Sequence, residues 1–291
     1  MNSFTIKDLE NLSGIKAHTL RIWEQRYNFI KPQRTATKIR YYTNEELKLI
    51  LNISLLNKYG YKVSHISKMD ETDMAEKILA INNSLAQQER IVNELIGHMI
   101  GLEIYEMESV LDSYILSRGI DKTILEIIFP FLERIGILWL TNHINPAQEH
   151  FVSNLVRQKI IVGIEGQHSP VKTSKSVLLF LPEGEHHELG LLYLHFLLKS
   201  RGIQVFYLGA DIPFKDLEFV VNIKKPDYLY CHLTTGSAFR LDRFIQKITA
   251  AFPALPAVIS GQVTNSFQKK TKEPVVLKRS LSEVMEFISS I

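Results

Sequence analysis

The 291-residue sequence predicts a multidomain chain: an N-terminal winged helix-turn-helix, a middle four-helix bundle, and a C-terminal α/β doubly wound parallel five-stranded sheet. Three observations predict it. Residues 1–70 carry 12 Lys+Arg against 6 Asp+Glu and combine that excess with aromatics, whereas residues 71–166 carry 7 against 14 and residues 167–291 carry 15 against 11. The middle segment repeats apolar residues at helical spacing, and the last alternates short apolar runs with helical ones. The hydrophobic fraction of 45% and charged fraction of 22% are those of a globular protein. No apolar run approaches the ~20 residues that span a bilayer, and Met1-Asn2-Ser3-Phe4-Thr5 lacks a signal-peptide pattern. A single cysteine, Cys231, excludes an internal disulfide and a cysteine-based zinc finger, so the expected location is the reducing cytoplasm.

In residues 1–70, Thr5-Ile6-Lys7-Asp8 reads as a capped helix start with Ile6, Leu9 and Leu12 on its apolar face, ended by Ser13-Gly14. A second helix, from about Lys16 to Tyr27, turns Leu20, Trp23 and Tyr27 inward and presents His18, Arg21, Gln25 and Arg26. Two short helices joined by a tight glycine turn make a helix-turn-helix, whose second helix can enter a DNA major groove. Arg34 to Arg40 reads as a basic hairpin, a wing, and Thr43-x-x-Glu46 as a capping box for a third helix closed by Gly60. Thr19-Leu20-Arg21-Ile22-Trp23-Glu24 and Pro32-Gln33-Arg34 through Arg40-Tyr41-Tyr42 resemble the recognition helix and wing of the MerR family of transcription regulators. The resemblance implies that Thr19, Arg21, Arg26, Arg34, Arg40 and Tyr41 face a double-stranded DNA operator, the arginines mostly on phosphate. Tyr42, Trp23 and Tyr27 are expected in the core.

After the charged break Asp70-Glu71-Thr72-Asp73, residues 71–166 predict helices near 73–82, 87–100, 103–117, 121–141 and 146–165. Their stripes are Ile91, Leu95 and Met99; Met107, Leu111 and Leu116; and Ile128, Leu132, Ile135 and Trp139. Short loops between core helices predict an antiparallel bundle. On the residues alone, Trp139 ends an apolar stripe and Glu149-His150 sits in the first turn of a helix whose dipole favours Glu149.

A polar linker, 167–175, leads to strands Val177–Leu181, Gln204–Leu208, Tyr228–His232, Ala257–Ser260 and Val275–Leu277, with helices between them. The domains expected are therefore 1–70, 71–166 and 175–291. After the first strand comes Glu185-x-His187-x-x-Gly190: a carboxylate, an imidazole and a glycine at the carboxyl end of a strand, where open α/β sheets bind ligands. This motif, followed by Leu208-Gly209-x-x-x-Pro213, resembles the cobalamin-binding domain. The resemblance implies that His187 is the lower axial ligand of cobalt, that Glu185 holds its other ring nitrogen, and that Gly190 keeps the helix clear of the cofactor's nucleotide tail; His186 is the alternative ligand next door.

The order reader, bundle, cobalamin domain is similar to that of the light-sensing, adenosylcobalamin-dependent MerR-type repressors of carotenoid genes. In that subgroup a Trp-x9-Glu-His motif caps the cofactor's upper face, a place that Trp139, Glu149 and His150 match. Three departures stand out. Cys231-His232-Leu233 holds the place of a Ser-x-Leu beside the tail, Gly261-Gln262 that of a Gly-Gly, and Leu140 that of a histidine beside the tryptophan. The resemblance implies a non-enzymatic regulator, a homo-oligomer of dimer or tetramer size, whose DNA affinity is switched by adenosylcobalamin held between bundle and α/β domain. The alternatives are a regulator of the same fold that no longer binds cobalamin, and a corrinoid methyl carrier. No nucleophile, acid–base pair or phosphate loop points to catalysis.

Overall fold

The computed structural model describes residues 4–27, 29–34, 39–140, 144–169, 173–234, 239–268, 271 and 273–291. The chain folds as two compact units, Met1–Leu155 and Val156–Ile291.

The first unit begins with α1 (Ile6–Ser13), where Thr5 and Asp8 cap each other reciprocally and Gly14, at φ 72°, ends the helix. α2 (Ala17–Tyr27) buries Leu20 and Trp23 as its periodicity demands. Tyr27 is only half-buried; it stacks on Phe29 with ring centroids 5.9 Å apart and carries Arg26 over its face, so it belongs to the rim and not to the core. The wing is β1 (Gln33–Arg34) paired antiparallel with β2 (Arg40–Tyr41), Arg34 opposite Arg40; its expected tip, 35–38, lies outside the described residues. Tyr42 is fully buried and pairs with Phe4 through both backbone groups. α3 (Asn44–Lys58) starts at the expected capping box, Thr43 N–H donating to Glu46 at 2.8 Å.

A short α4 (Val63–Ile66) had no periodicity to announce it. The charged break at Asp70 is itself a cap: its carboxylate accepts from the Asp73 N–H at 2.8 Å, so α5 (Glu71–Leu79) starts two residues earlier than expected. α6 (Ser84–Gly101) and α7 (Ile104–Arg118) bury Leu95, Met99, Met107 and Leu111. Leu116 is 87% exposed, because nine residues from Met107 is two and a half turns and places it on the opposite face. The expected 121–141 helix is α8 (Ile120–Thr123), a π turn (Ile124–Ile128) and α9 (Phe129–Leu140) in direct succession. Pro130 lies just past that π turn, and its missing N–H breaks the regular ladder there. Trp139 does not continue the buried stripe of Ile128 and Ile135: it is 48% exposed. The turn at 141–143 lies outside the described residues. α10 (Pro146–Glu165) starts on a reciprocal cap in which Asn145 N–H donates to Gln148 and Ala147 N–H to Asn145.

The second unit is a parallel five-stranded sheet. Its strands are β3 (Ser176–Pro182), β4 (Gln204–Ile212), β5 (Tyr228–His232), β6 (Ala257–Ser260) and β7 (Val275–Lys278), in the order β4-β3-β5-β6-β7. β3 is buried along its whole length, as its unbroken apolar run requires. The helices are α11 (Leu189–Ser200), α12 (Phe214–Lys224), α13 (Leu241–Ala251) and α14 (Leu281–Ser290), with a 3-10 turn over Gln262–Ser266. One core cluster gathers Phe180, Leu217, Cys231, Ile248 and Ile259. β4 runs four residues past its expected end because register shifts after Leu179 and Phe180 carry it on to pair Pro182 with Ile212. The strand order reverses between β4-β3 and β3-β5, so the crevice of this sheet opens where the loops after β3 and β5 leave it.

Candidate functional site

In the reader, Arg21 and Arg26 are exposed on α2 and Thr19 is half-buried. Arg34 is exposed at the wing base and Tyr41 donates its hydroxyl to Gln33. Glu24 connects the two elements. Its side chain is 8% exposed, it lies 3.4 Å from Arg40 Nε, and it accepts the Tyr42 hydroxyl proton. Burial together with that carboxylate raises the Tyr42 pKa, which keeps the phenol protonated as a donor. One carboxylate on α2 thus fixes the second wing strand. The motif named Glu24, but nothing in its spacing announced this role.

In the sheet, Glu185 follows β3 and is 1% exposed. One carboxylate oxygen sits 2.7 Å from His187 Nδ1 and accepts the His187 N–H at 3.0 Å; the other accepts the Thr234 N–H, after β5, at 3.1 Å. β4 closes the arrangement, Asp211 accepting the Gly184 N–H at 2.8 Å and donating its own N–H to the Glu185 carbonyl at 3.1 Å. Asp211 has φ 58°, a left-handed geometry that aims its carboxylate back at the turn. Glu185 therefore ties together the loops on either side of the switch point. His187 is left 57% exposed, with Nδ1 engaged and Nε2 as the nitrogen open to a ligand.

Next along, Glu188 precedes α11 and bonds Arg157 Nε at 2.5 Å and the Tyr207 hydroxyl at 3.0 Å. Burial foremost, with Glu188 beside it, raises the Tyr207 pKa. His195 stacks on Tyr207 at 5.2 Å, and burial lowers it to about 4. Arg157, Tyr207, Asp211 and Thr234 were not candidates from sequence; the Leu-Gly-x-x-x-Pro turn was the signal that contained Asp211.

Gly190 lies in the first turn of α11, and a Cβ built on it would stand 2.4 Å from His232 Cδ2 and 2.6 Å from His232 Nε2. The His232 ring therefore rests on bare backbone. Its Nδ1 is 2.9 Å from the buried Ser260 Oγ, and burial lowers its pKa. Gly261, at φ 98°, has Leu233 O only 2.3 Å from where a Cβ would be, so that position admits glycine alone; Gln262 beside it is exposed.

In the first unit, Trp139 is exposed, and Glu149 lies 3.1 Å from His150 Nδ1 at the start of α10. Gln148, unnoticed in the sequence, is buried and donates to the carbonyl of Ile100 at 3.1 Å, tying that helix start to the end of α6.

Residues 4–72 match the MerR HTH family regulatory protein, and residues 91–162 match the B12 binding domain. The chain joins a MerR-type reader to a B12-binding domain. The MerR-type match spans α1 to α4 and the first two residues of α5, and the B12-binding match falls on the helices that hold Trp139, Glu149 and His150. Two curated relatives from Myxococcus xanthus are similar over most of the chain. HTH-type transcriptional repressor CarH is 25% identical over 91% of this chain and 91% of its own. HTH-type transcriptional repressor CarA is 29% identical over 88% of this chain and 85% of its own. The fold resembles the Methanosarcina barkeri monomethylamine corrinoid protein, with a TM-score of 0.56 and 12% identity, over 70% of this chain and 100% of that one. A MerR-type reader and a B12-binding domain in one chain make a DNA-binding regulator controlled by cobalamin.

The donor set is suited to cobalt in a corrinoid. Four equatorial nitrogens come with the macrocycle, so the protein needs one exposed imidazole with its other nitrogen fixed by a carboxylate, which is the His187–Glu185 arrangement. Among the described residues no group of three or more His, Cys, Asp or Glu could hold a bare metal ion, and no helix is long and apolar enough to cross a membrane.

Proposed function

We propose that this chain is a transcription regulator whose affinity for an operator is set by an adenosyl-type corrinoid, with 1–70 reading DNA and 71–166 and 175–291 holding the effector. The observation that carries the reading is Glu185 bonding His187 Nδ1 at the switch point of the sheet. It engages Nδ1 and leaves Nε2 as the nitrogen that would bind the cobalt. A bound corrinoid would supply a cobalt centre for that imidazole to hold. Trp139, Glu149 and His150 are the residues assigned to its other face, an assignment that follows their spacing and is supported by the exposure of Trp139 and His150.

On the DNA side, Arg21, Arg26, Arg34 and Arg40 neutralise phosphate, and Thr19 and Tyr41 supply polar contacts beside them. Each reader of a homo-oligomer engages one half-site of an inverted or tandem repeat. The effector then changes operator affinity by linkage. No catalytic residue is assigned, and the basic reader in front of the bundle favours a regulator over a methyl carrier. Titration with adenosylcobalamin, followed by visible absorbance, is expected to show a lower-ligand spectral change in the wild type that His187→Ala abolishes. A gel-shift titration in the same samples is expected to show an operator affinity that depends on the corrinoid in the wild type alone. Identical spectra for the two proteins would remove His187 as the ligand.

A further inference from the structure

A cobalamin in solution carries its own lower ligand, a benzimidazole on a flexible nucleotide arm. A protein imidazole that takes the lower position releases that arm, and the arm then needs a groove at least as wide as a planar base. In this sheet the ground next to His187 is the crevice formed by the first turn of α11 and the ends of β5 and β6. The His232 ring stands in it. It packs so closely on Gly190 that even a methyl group there would overlap it, at 2.4 Å and 2.6 Å. Its Nδ1 is 2.9 Å from Ser260 Oγ, at the end of the neighbouring strand. Ser260 is itself buried, and Tyr230, two residues back on the same face of β5, is fully buried. The floor beneath the ring is thus polar, and the ring covers it. A glycine leaves room for something to approach the backbone; here that room is already taken by the chain's own imidazole.

We infer that His232 is a specificity-determining residue that fills the nucleotide-arm groove, so that the site favours a corrinoid whose arm is absent or stays outside over one whose arm must be buried. This rests on the corrinoid reading of His187. Removing the ring uncovers Ser260 Oγ, a polar group that an incoming ribose or phosphate can bond.

The test compares adenosylcobalamin with adenosylcobinamide, which keeps the macrocycle and upper ligand and lacks the nucleotide. Wild type, His232→Gly and His232→Ser are titrated by visible absorbance, with circular dichroism confirming the fold; the serine variant carries the test if the glycine variant does not fold. The wild type is expected to bind adenosylcobinamide about tenfold or more tighter, the scale of displacing a well-packed ring. The variants are expected to gain about tenfold for adenosylcobalamin and to leave adenosylcobinamide unchanged. Equal binding of the two corrinoids by the wild type, or an unchanged ratio in the variants, overturns the inference while His187 ligation stands. No binding of either corrinoid to any of the three proteins overturns the reading of the site, and this inference with it.

Discussion

Two buried glutamates organise the two ends of this chain, and they do so with different partners. Glu24, 8% exposed, joins the recognition helix to the wing by holding a cation and a phenol, Arg40 and Tyr42. Glu185, 1% exposed, joins the loops after β3 and β5 by holding an imidazole and a backbone amide, His187 and Thr234. In both, a desolvated carboxylate stands behind an exposed side chain and sets its direction. The difference lies in what is left facing outward. Arg40 keeps its guanidinium partly exposed, the group proposed for phosphate, where position would set register. His187 keeps Nε2 outward, the nitrogen proposed for the metal, with Nδ1 held by the carboxylate. One carboxylate positions a guanidinium, and the other positions an imidazole.

The sharpest way to break that comparison is at Glu185. Glu185→Gln keeps the shape but offers Nδ1 a weaker, neutral acceptor. Corrinoid affinity is expected to fall about 10- to 100-fold in the absorbance titration, the cost of losing an outer-shell carboxylate. If affinity is unchanged, the pairing with His187 has no bearing on ligation.

A smaller and more diagnostic effect is expected at Glu24. Removing a negative charge from a DNA-binding face strengthens binding if only net charge matters. If Glu24 positions Arg40, Glu24→Gln instead weakens operator binding, on the order of tenfold for one lost charge-assisted contact. Fluorescence anisotropy at one fixed salt concentration gives the sign. Tighter binding would reduce Glu24 to a bystander.

The smallest effect is on stability, and it bears on the scaffold behind Glu188. Burial holds His195 at about 4 against an ordinary 6.5, so the folded chain binds this proton more weakly than the unfolded one. The contribution of the neutral ring is complete above pH 6.5 and is lost as pH falls toward 4. Urea midpoints measured across that window are expected to fall more steeply for the wild type than for His195→Phe, which keeps the stack on Tyr207 without a titrating group. Parallel curves would assign the acid sensitivity to other groups.

Much of both regions was legible because it is local. Capping boxes at Thr5-Asp8 and Thr43-Glu46 involve residues three apart, and the inward Leu20 and Trp23 follow from 3.6 residues per turn. The strand ends at β5 and β6 fell where the apolar runs stop. Three residues expected on buried stripes are not fully buried. Leu116 is two and a half turns from Met107, and Trp139 and Tyr27, though in phase with their stripes, sit in the last turns of α9 and α2.

By itself the sequence determined the element order, the parallel sheet, the reader and the identity of the carboxylate–imidazole pair, because each depends on periodicity, on caps or on residues within a few positions of one another. Only the tertiary structure decided what stands around that pair. Thr234 and Asp211 reach Glu185 from 49 and 26 residues away in the chain, Arg157 reaches Glu188 from another helix, and His232 closes on Gly190 across the sheet. Neighbours of that kind are set by which strand ends the fold brings together at the switch point, and no local pattern encodes a distance between strand ends.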